Sequence, residues 1–118
     1  MPKLEPEVRT AKIRQLNDML RDRSLPGGRI SIMGDLAERL REDQEATEKV
    51  LAAINAFKDF NDDNDPYNEH DFGAVEFEGE KVFFKIDYYA PDMQHGSEDP
   101  ADPKQTVRVM TVFYDHDY

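Results

Sequence analysis

The densest chemistry in the chain lies in the run Asp59-Phe60-Asn61-Asp62-Asp63-Asn64-Asp65-Pro66-Tyr67-Asn68-Glu69-His70-Asp71, which holds six acids and no base. Oxygen-rich clusters of this kind can hold Ca²⁺ or Mg²⁺, which take carboxylates, amide carbonyls and water as ligands. The ligands on offer are Asp63, Asp65, Glu69 and Asp71. An EF-hand is excluded, because a twelve-residue loop starting at Asp59 places Asn64 where the glycine belongs and His70 where the terminal glutamate belongs. The alternative needs no cofactor: Asx side chains cap the turns of a structural loop and Pro66 fixes one bend. Within the run, His70 is flanked by carboxylates that would orient it as a general acid or base. With Lys85 and Asp87 on a neighbouring strand, His70 and Asp71 define the site of a small enzyme or a Ca/Mg-dependent hydrolase.

Other chemistries find little support. His70, His95 and His116 show no HxxxH or HExxH spacing, so no transition-metal motif is written locally. Ser31 and Ser97 lack a nucleophile-elbow context, and Gly27-Gly28 lacks the Lys-Ser/Thr of a phosphate loop. Restriction-type nucleases place an acid two residues before a lysine, but Lys81 is preceded there by Gly79 and Lys85 by Phe83. The absence of cysteine removes thiolate chemistry and disulfides, and a reducing cytoplasmic location is the simplest expectation. No apolar run approaches the roughly 18 residues of a membrane span, and no leader-like start is seen.

Charge narrows the partners. The formal net charge is −11, but residues 1–58 carry 11 Lys and Arg against 10 Asp and Glu, while residues 59–118 carry 4 against 16. Such a field repels phosphates and anionic lipid, so direct binding of nucleic acid or membrane is not expected. A basic protein surface is the expected partner. The residues that would meet it are Asp62, Asp63, Asp65, Tyr67, Glu69, Glu76, Glu78 and Glu80. A regular strand would space Glu76, Glu78 and Glu80 by about 6.8 Å, twice the axial spacing of about 3.4 Å between phosphates on one DNA strand. Nucleic-acid mimicry would therefore need the loop acids as a second row.

The elements that must position these groups follow from periodicity. Residues 5–23 carry Val8, Ile13, Leu16, Met19 and Leu20 at helical spacing, and Leu25-Pro26-Gly27-Gly28 ends that helix. Residues 29–33 alternate polar and apolar, as a short strand or the lead into a helix. Asp35 is an N-cap for a short helix with Leu36, Ala37 and Leu40. Asp43 caps a second, with Ala46, Val50, Ala53, Ile54 and Phe57, to about Asp59. One bent helix over residues 35–59 is the alternative. Beyond the loop the period changes to two: residues 72–78 and 81–89 form a hairpin around Gly79, with Val75, Phe77, Phe84, Ile86 and Tyr88 on one face. After a loop over residues 90–104, a last strand to Tyr114 is apolar on both faces, as suits an internal strand. The expected fold is α+β: one domain over residues 1–118, with a helical half over 5–59, an acidic loop over 59–71 and a sheet half over 72–114. An antiparallel sheet of three to four strands is packed by two to three N-terminal helices on one face.

Three strings also carry a family likeness: Asp63-Asn64-Asp65-Pro66-Tyr67 with Glu69-His70-Asp71-Phe72-Gly73, then Phe84-Lys85-Ile86-Asp87-Tyr88-Tyr89, then Gly96-Ser97-Glu98-Asp99-Pro100-Ala101-Asp102-Pro103. With Arg14, Leu16, Asn17 and Asp18 in the first helix and Arg108-Val109-Met110-Thr111 in the last strand, the chain resembles the bacterial family called domain of unknown function thirty-seven sixty-eight, from about Ile13 onward. Asn68 stands where the family usually has Gly, and Asn tolerates the left-handed backbone. The resemblance brings no activity and no assigned residue. It implies small proteins often found among plasmid or integrative-element genes. Together these readings favour a non-enzymatic accessory protein that meets a basic partner through its acidic half, where it would compete as a nucleic-acid mimic if the loop acids supply the second row. The hydrolase and a homo-oligomeric subunit are the rivals.

Overall fold

A computed structural model describes residues 4–117. In chain order the elements are α1 (Pro6–Arg21), β1 (Arg29–Ile32), α2 (Gly34–Leu40), α3 (Gln44–Ala56), β2 (Phe72–Phe77), β3 (Glu80–Tyr89) and β4 (Val107–Tyr114), with a single 3₁₀ turn over Asp115–Asp117. The fold is α+β. Three N-terminal helices cover one face of a four-stranded sheet of order β1-β4-β3-β2.

β2, β3 and β4 form an antiparallel meander, whereas β1 joins the edge of β4 in parallel, so the sheet is mixed. The parallel pairing follows from the connection: α2 packs on β4 and α3 on β2, and together they carry the chain from one edge of the sheet to the other. A two-residue turn at Glu78-Gly79 closes the β2–β3 hairpin with both residues at positive φ, 53° and 80°. This is the primed-turn geometry that matches strand twist.

Val82, Phe84 and Ile86 of β3 and Met110 and Val112 of β4 point into the helical layer, where they meet Leu20, Leu36, Leu40, Val50 and Ile54. β4 lies between β1 and β3 and is apolar on both faces, as its sequence predicts. The opposite sheet face carries a run of rings: Phe72 stacks on Phe83 at 5.4 Å, and Phe83 lies 5.8 Å from Phe113. No helix among the described residues is long and apolar enough to cross a membrane.

Two local expectations change, at Val8 and at Asp35, while the two separate helices and the Asp43 cap stand as expected. Val8 is 53% exposed rather than part of the core stripe, because the first turns of α1 extend beyond the packed layer. α2 and α3 are separate helices, broken where Glu42 takes a φ of 58°. Asp43 caps α3 by accepting from the Ala46 amide at 3.0 Å. Asp35 is not a cap but lies inside the first turn of α2, whose N-cap position is Met33 with no side-chain cap of its own.

Candidate functional site

The buried face of α1 runs through Ile13, Leu16, Asn17, Leu20 and Arg21. Positions 13, 16, 17, 20 and 21 are helical neighbours, so two polar side chains are carried into the interior on an otherwise apolar stripe. Asn17 is fully buried. Its Nδ2 donates to the Glu69 carbonyl at 3.0 Å and to the Tyr88 hydroxyl at 2.7 Å, and its Oδ1 accepts from Arg108 Nε at 2.8 Å. Tyr88 in turn donates to Glu69 Oε1 at 2.7 Å. Burial, with the bond to the Glu69 carboxylate, pushes the Tyr88 hydroxyl far above its ordinary value and keeps it a donor. Arg108 is itself buried, bonds the Pro100 carbonyl, and is pulled below the usual guanidinium value by loss of water.

One helical turn further on, Arg21 reaches the C-terminal end of α3. There Nη1 donates to the Ile54 and Phe57 carbonyls at 2.9 and 3.0 Å, satisfying groups a helix end leaves open. Its Nη2 holds Asp18 Oδ1 at 2.9 Å, and that same oxygen lies 2.9 Å from His70 Nδ1. The His70 ring stacks flat on Phe60, centroids 3.9 Å apart, with Nε2 4.0 Å from Asp65. Asp65 is buried and accepts from the Glu69 and His70 amides. Asn68 and His70 both adopt left-handed backbone, φ 59° and 58°. A cleft of about 600 Å³ opens beside this cluster, with Asp18, Arg21, Phe60, Asp65 and His70 in its wall.

The residues grouped from sequence separate in space. His70 turns to α1 on the helical side. Lys85 and Asp87, 3.6 Å apart, alternate with the buried Phe84 and Ile86 and so stand on the other face of the sheet. Asp71 meets β3 through its backbone, its carbonyl accepting from the Ile86 amide at 2.8 Å, and its carboxyl feels the charge of Asp87 on that strand. Its half-buried carboxyl is raised above the usual range by burial first and then by the nearby Glu69 charge. His70, Asp71, Lys85 and Asp87 therefore do not converge on one site.

The acidic surface is also thinner than the sequence implies. Asp65 and Glu69 are committed inward, and Glu78 is held by Arg39 through two bonds of 2.8 and 2.7 Å. The chain reverses at Glu78-Gly79, so Glu80 starts the return strand opposite Phe77 while Glu76 pairs with Lys81. Glu76, Glu78 and Glu80 consequently form no row. Asp62, Asp63 and Tyr67 stay exposed, Tyr67 at 77%.

A metal-ligand grouping occurs elsewhere among the described residues. One ligand atom each from Asp35, His116 and Asp117 lies within 4.8 Å of the others, a set that could coordinate a divalent ion. His116 Nε2 is 2.9 Å from Asp35 Oδ2 and 3.7 Å from Asp117 Oδ1, with its ring stacked on Tyr114. Asp117 is the anchored member, its side chain only 10% exposed. It accepts from the amides of Asp35 at 3.1 Å, Leu36 at 3.5 Å and Tyr114 at 3.3 Å, and so caps α2 from the far end of the chain. Burial opposes its ionisation, but these amides outweigh that and hold its carboxyl below the usual range. Gly34 makes the approach possible: at φ 64°, a Cβ there would stand 2.4 Å from Asp117 Cγ. A groove of about 240 Å³ lined by Met33, Lys85, Thr111, Phe113 and Asp117 runs from this corner onto the open sheet face.

Residues 34–117 match the family described as protein of unknown function, DUF3768. The chain belongs to this family. Neither a curated protein nor a solved structure matches it. The DUF3768 match starts later than the resemblance read from Ile13, leaving α1 and β1 outside it. Asn17, Asp18 and Arg21 therefore lie beyond the matched region, while all three residues of the Asp35–His116–Asp117 group lie within it. Asn17 and Arg21 were not read as part of the α1 stripe, although their helical spacing from Ile13, Leu16 and Leu20 is the signal that could have placed them there. Nothing local in the sequence joins Asp35 to residues more than eighty positions away.

Proposed function

We propose that the protein binds a divalent cation through Asp35, His116 and Asp117 and works as a small metal-dependent hydrolase. The observation that carries this reading is the meeting of three ligand atoms within 4.8 Å, one of them on a carboxylate already fixed by backbone amides. Three protein ligands leave room for a water, and a bound ion of this kind lowers the pKa of that water toward neutrality. The imidazole favours zinc over the calcium or magnesium expected of an all-oxygen loop, and the two carboxylates also suit manganese. Titration calorimetry and thermal melting with zinc, manganese, magnesium and calcium test it. A saturating ion at about a hundredfold its Kd should stabilise the fold by about 2.7 kcal/mol, and His116→Ala should abolish the effect. Absence of heat and of any melting shift with all four ions would refute it.

A second reading keeps the protein as a cytoplasmic accessory of a mobile element that meets a basic protein; the contact, though not the setting, is supported by one observation, that Tyr67 stands 77% exposed in the same loop as exposed Asp62 and Asp63. An aromatic flanked by acids suits contact with a basic protein surface. Binding to a basic DNA-binding protein should weaken steeply with salt and drop on Tyr67→Ser; an affinity indifferent to salt rejects the mechanism. Mass in solution tests whether a second copy covers the open sheet face.

A further inference from the structure

We infer that the groove beside Asp117 binds a small aromatic phosphate monoester, with Lys85 and the bound cation sharing its phosphate and the Phe113 floor taking its ring; this rests on the metal reading above. Met33, Lys85, Thr111, Phe113 and Asp117 line the groove, so its one cationic wall residue is Lys85 and its one anionic wall residue belongs to the metal group. Lys85 is free to turn toward a ligand. Its nearest acid, Asp87, is 3.6 Å away, beyond hydrogen-bond distance, and the two side chains are 47% and 36% exposed. Exchanging so weak a pair for an anionic ligand costs little.

The register places Lys85 beside Thr111 on the central strands, on the same face as the Phe72, Phe83 and Phe113 rings. Phe113 is 96% buried, which makes it a fixed floor rather than a mobile side chain. At about 240 Å³ the groove is below the range of drug-sized sites and suits one ring and one anionic group. A phosphate is favoured over a carboxylate because it offers three oxygens, enough to meet a metal ion and an ammonium at once. Without the cation, Asp35 and Asp117 repel such a dianion. With it, their charge is neutralised, so cation and ester bind with positive coupling. In the hydrolysis this implies, water supplies the new P–O bond, the P–O bond to the aryl oxygen breaks, and the aryl oxygen leaves as a phenol carrying a proton from that water.

Calorimetry of the full chain with phenyl phosphate, with and without manganese, tests the inference. Phenyl phosphate should bind in the presence of manganese, at least several-fold tighter than inorganic phosphate does, and Lys85→Gln should weaken it about tenfold while leaving manganese affinity unchanged. Manganese binding together with an unchanged Lys85→Gln affinity, or with no preference for phenyl over inorganic phosphate, overturns this inference and spares the metal reading. Failure of manganese itself to bind overturns both.

Discussion

Gly34→Ala tests the corner on which the proposed site depends. Gly34 has a φ of 64°, and a Cβ built on it meets the Asp117 carboxylate at 2.4 Å from Cγ, 2.5 Å from Oδ1 and 2.7 Å from Oδ2. The left-handed backbone alone costs an L-residue about 1–2 kcal/mol. Overlap in a packed site adds about 1–3 kcal/mol, because either the carboxylate or the first turn of α2 must move. The sum of about 2–5 kcal/mol corresponds to a fall in Tm of roughly 8–20 °C for a chain of this size. Chemical denaturation of the wild type, Gly34→Ala, Asp117→Ala and the double variant forms a cycle. With Asp117 shortened the overlap vanishes, so the cost of Gly34→Ala should drop to the backbone portion of about 1–2 kcal/mol. Manganese affinity should fall in Gly34→Ala as well, since the displaced carboxylate is one of the three proposed ligands. An equal penalty for Gly34→Ala with and without the Asp117 carboxylate would refute the reasoning.

Asn17→Ala removes a fully buried group that makes three bonds and leaves Arg108 and the Glu69 carbonyl short of a partner; urea unfolding should show a loss of about 2–4 kcal/mol. Tyr88→Phe deletes only the hydroxyl shared by Asn17 and Glu69 and should cost less, about 1–3 kcal/mol, with the strands intact by circular dichroism. Asp71 gives a pH signature. Its carboxyl is raised in the folded state, so the fold favours the protonated form and loses that contribution as pH rises from the unfolded value of 3.8 through the folded one. Asp71→Asn should therefore be more stable than wild type at pH 7, with the difference vanishing below about pH 4; a difference that persists at pH 3 would show that the carboxyl's charge is not the cause.

What the amino-acid pattern determined by itself was the set of elements and the side each residue takes within them. Helical spacing gave α1 and α3, Asp43 marked a true cap, the two-residue period gave β2, β3 and β4, and an apolar β4 had to be internal. These are local properties, because a repeat of 3.6 or 2 residues decides which side chains share a face whatever the rest of the chain does. Tertiary structure decided how those faces meet. It set β1 in parallel on the edge of β4, buried Asn17 and Arg21 inside an apolar stripe, and sent His70 to the helical side while Lys85 and Asp87 took the other. It also brought Asp117 back to the start of α2 beside Asp35. Each of these depends on closing the chain over many residues, and no spacing between neighbours records which distant carboxylate will find a helix end left without a cap.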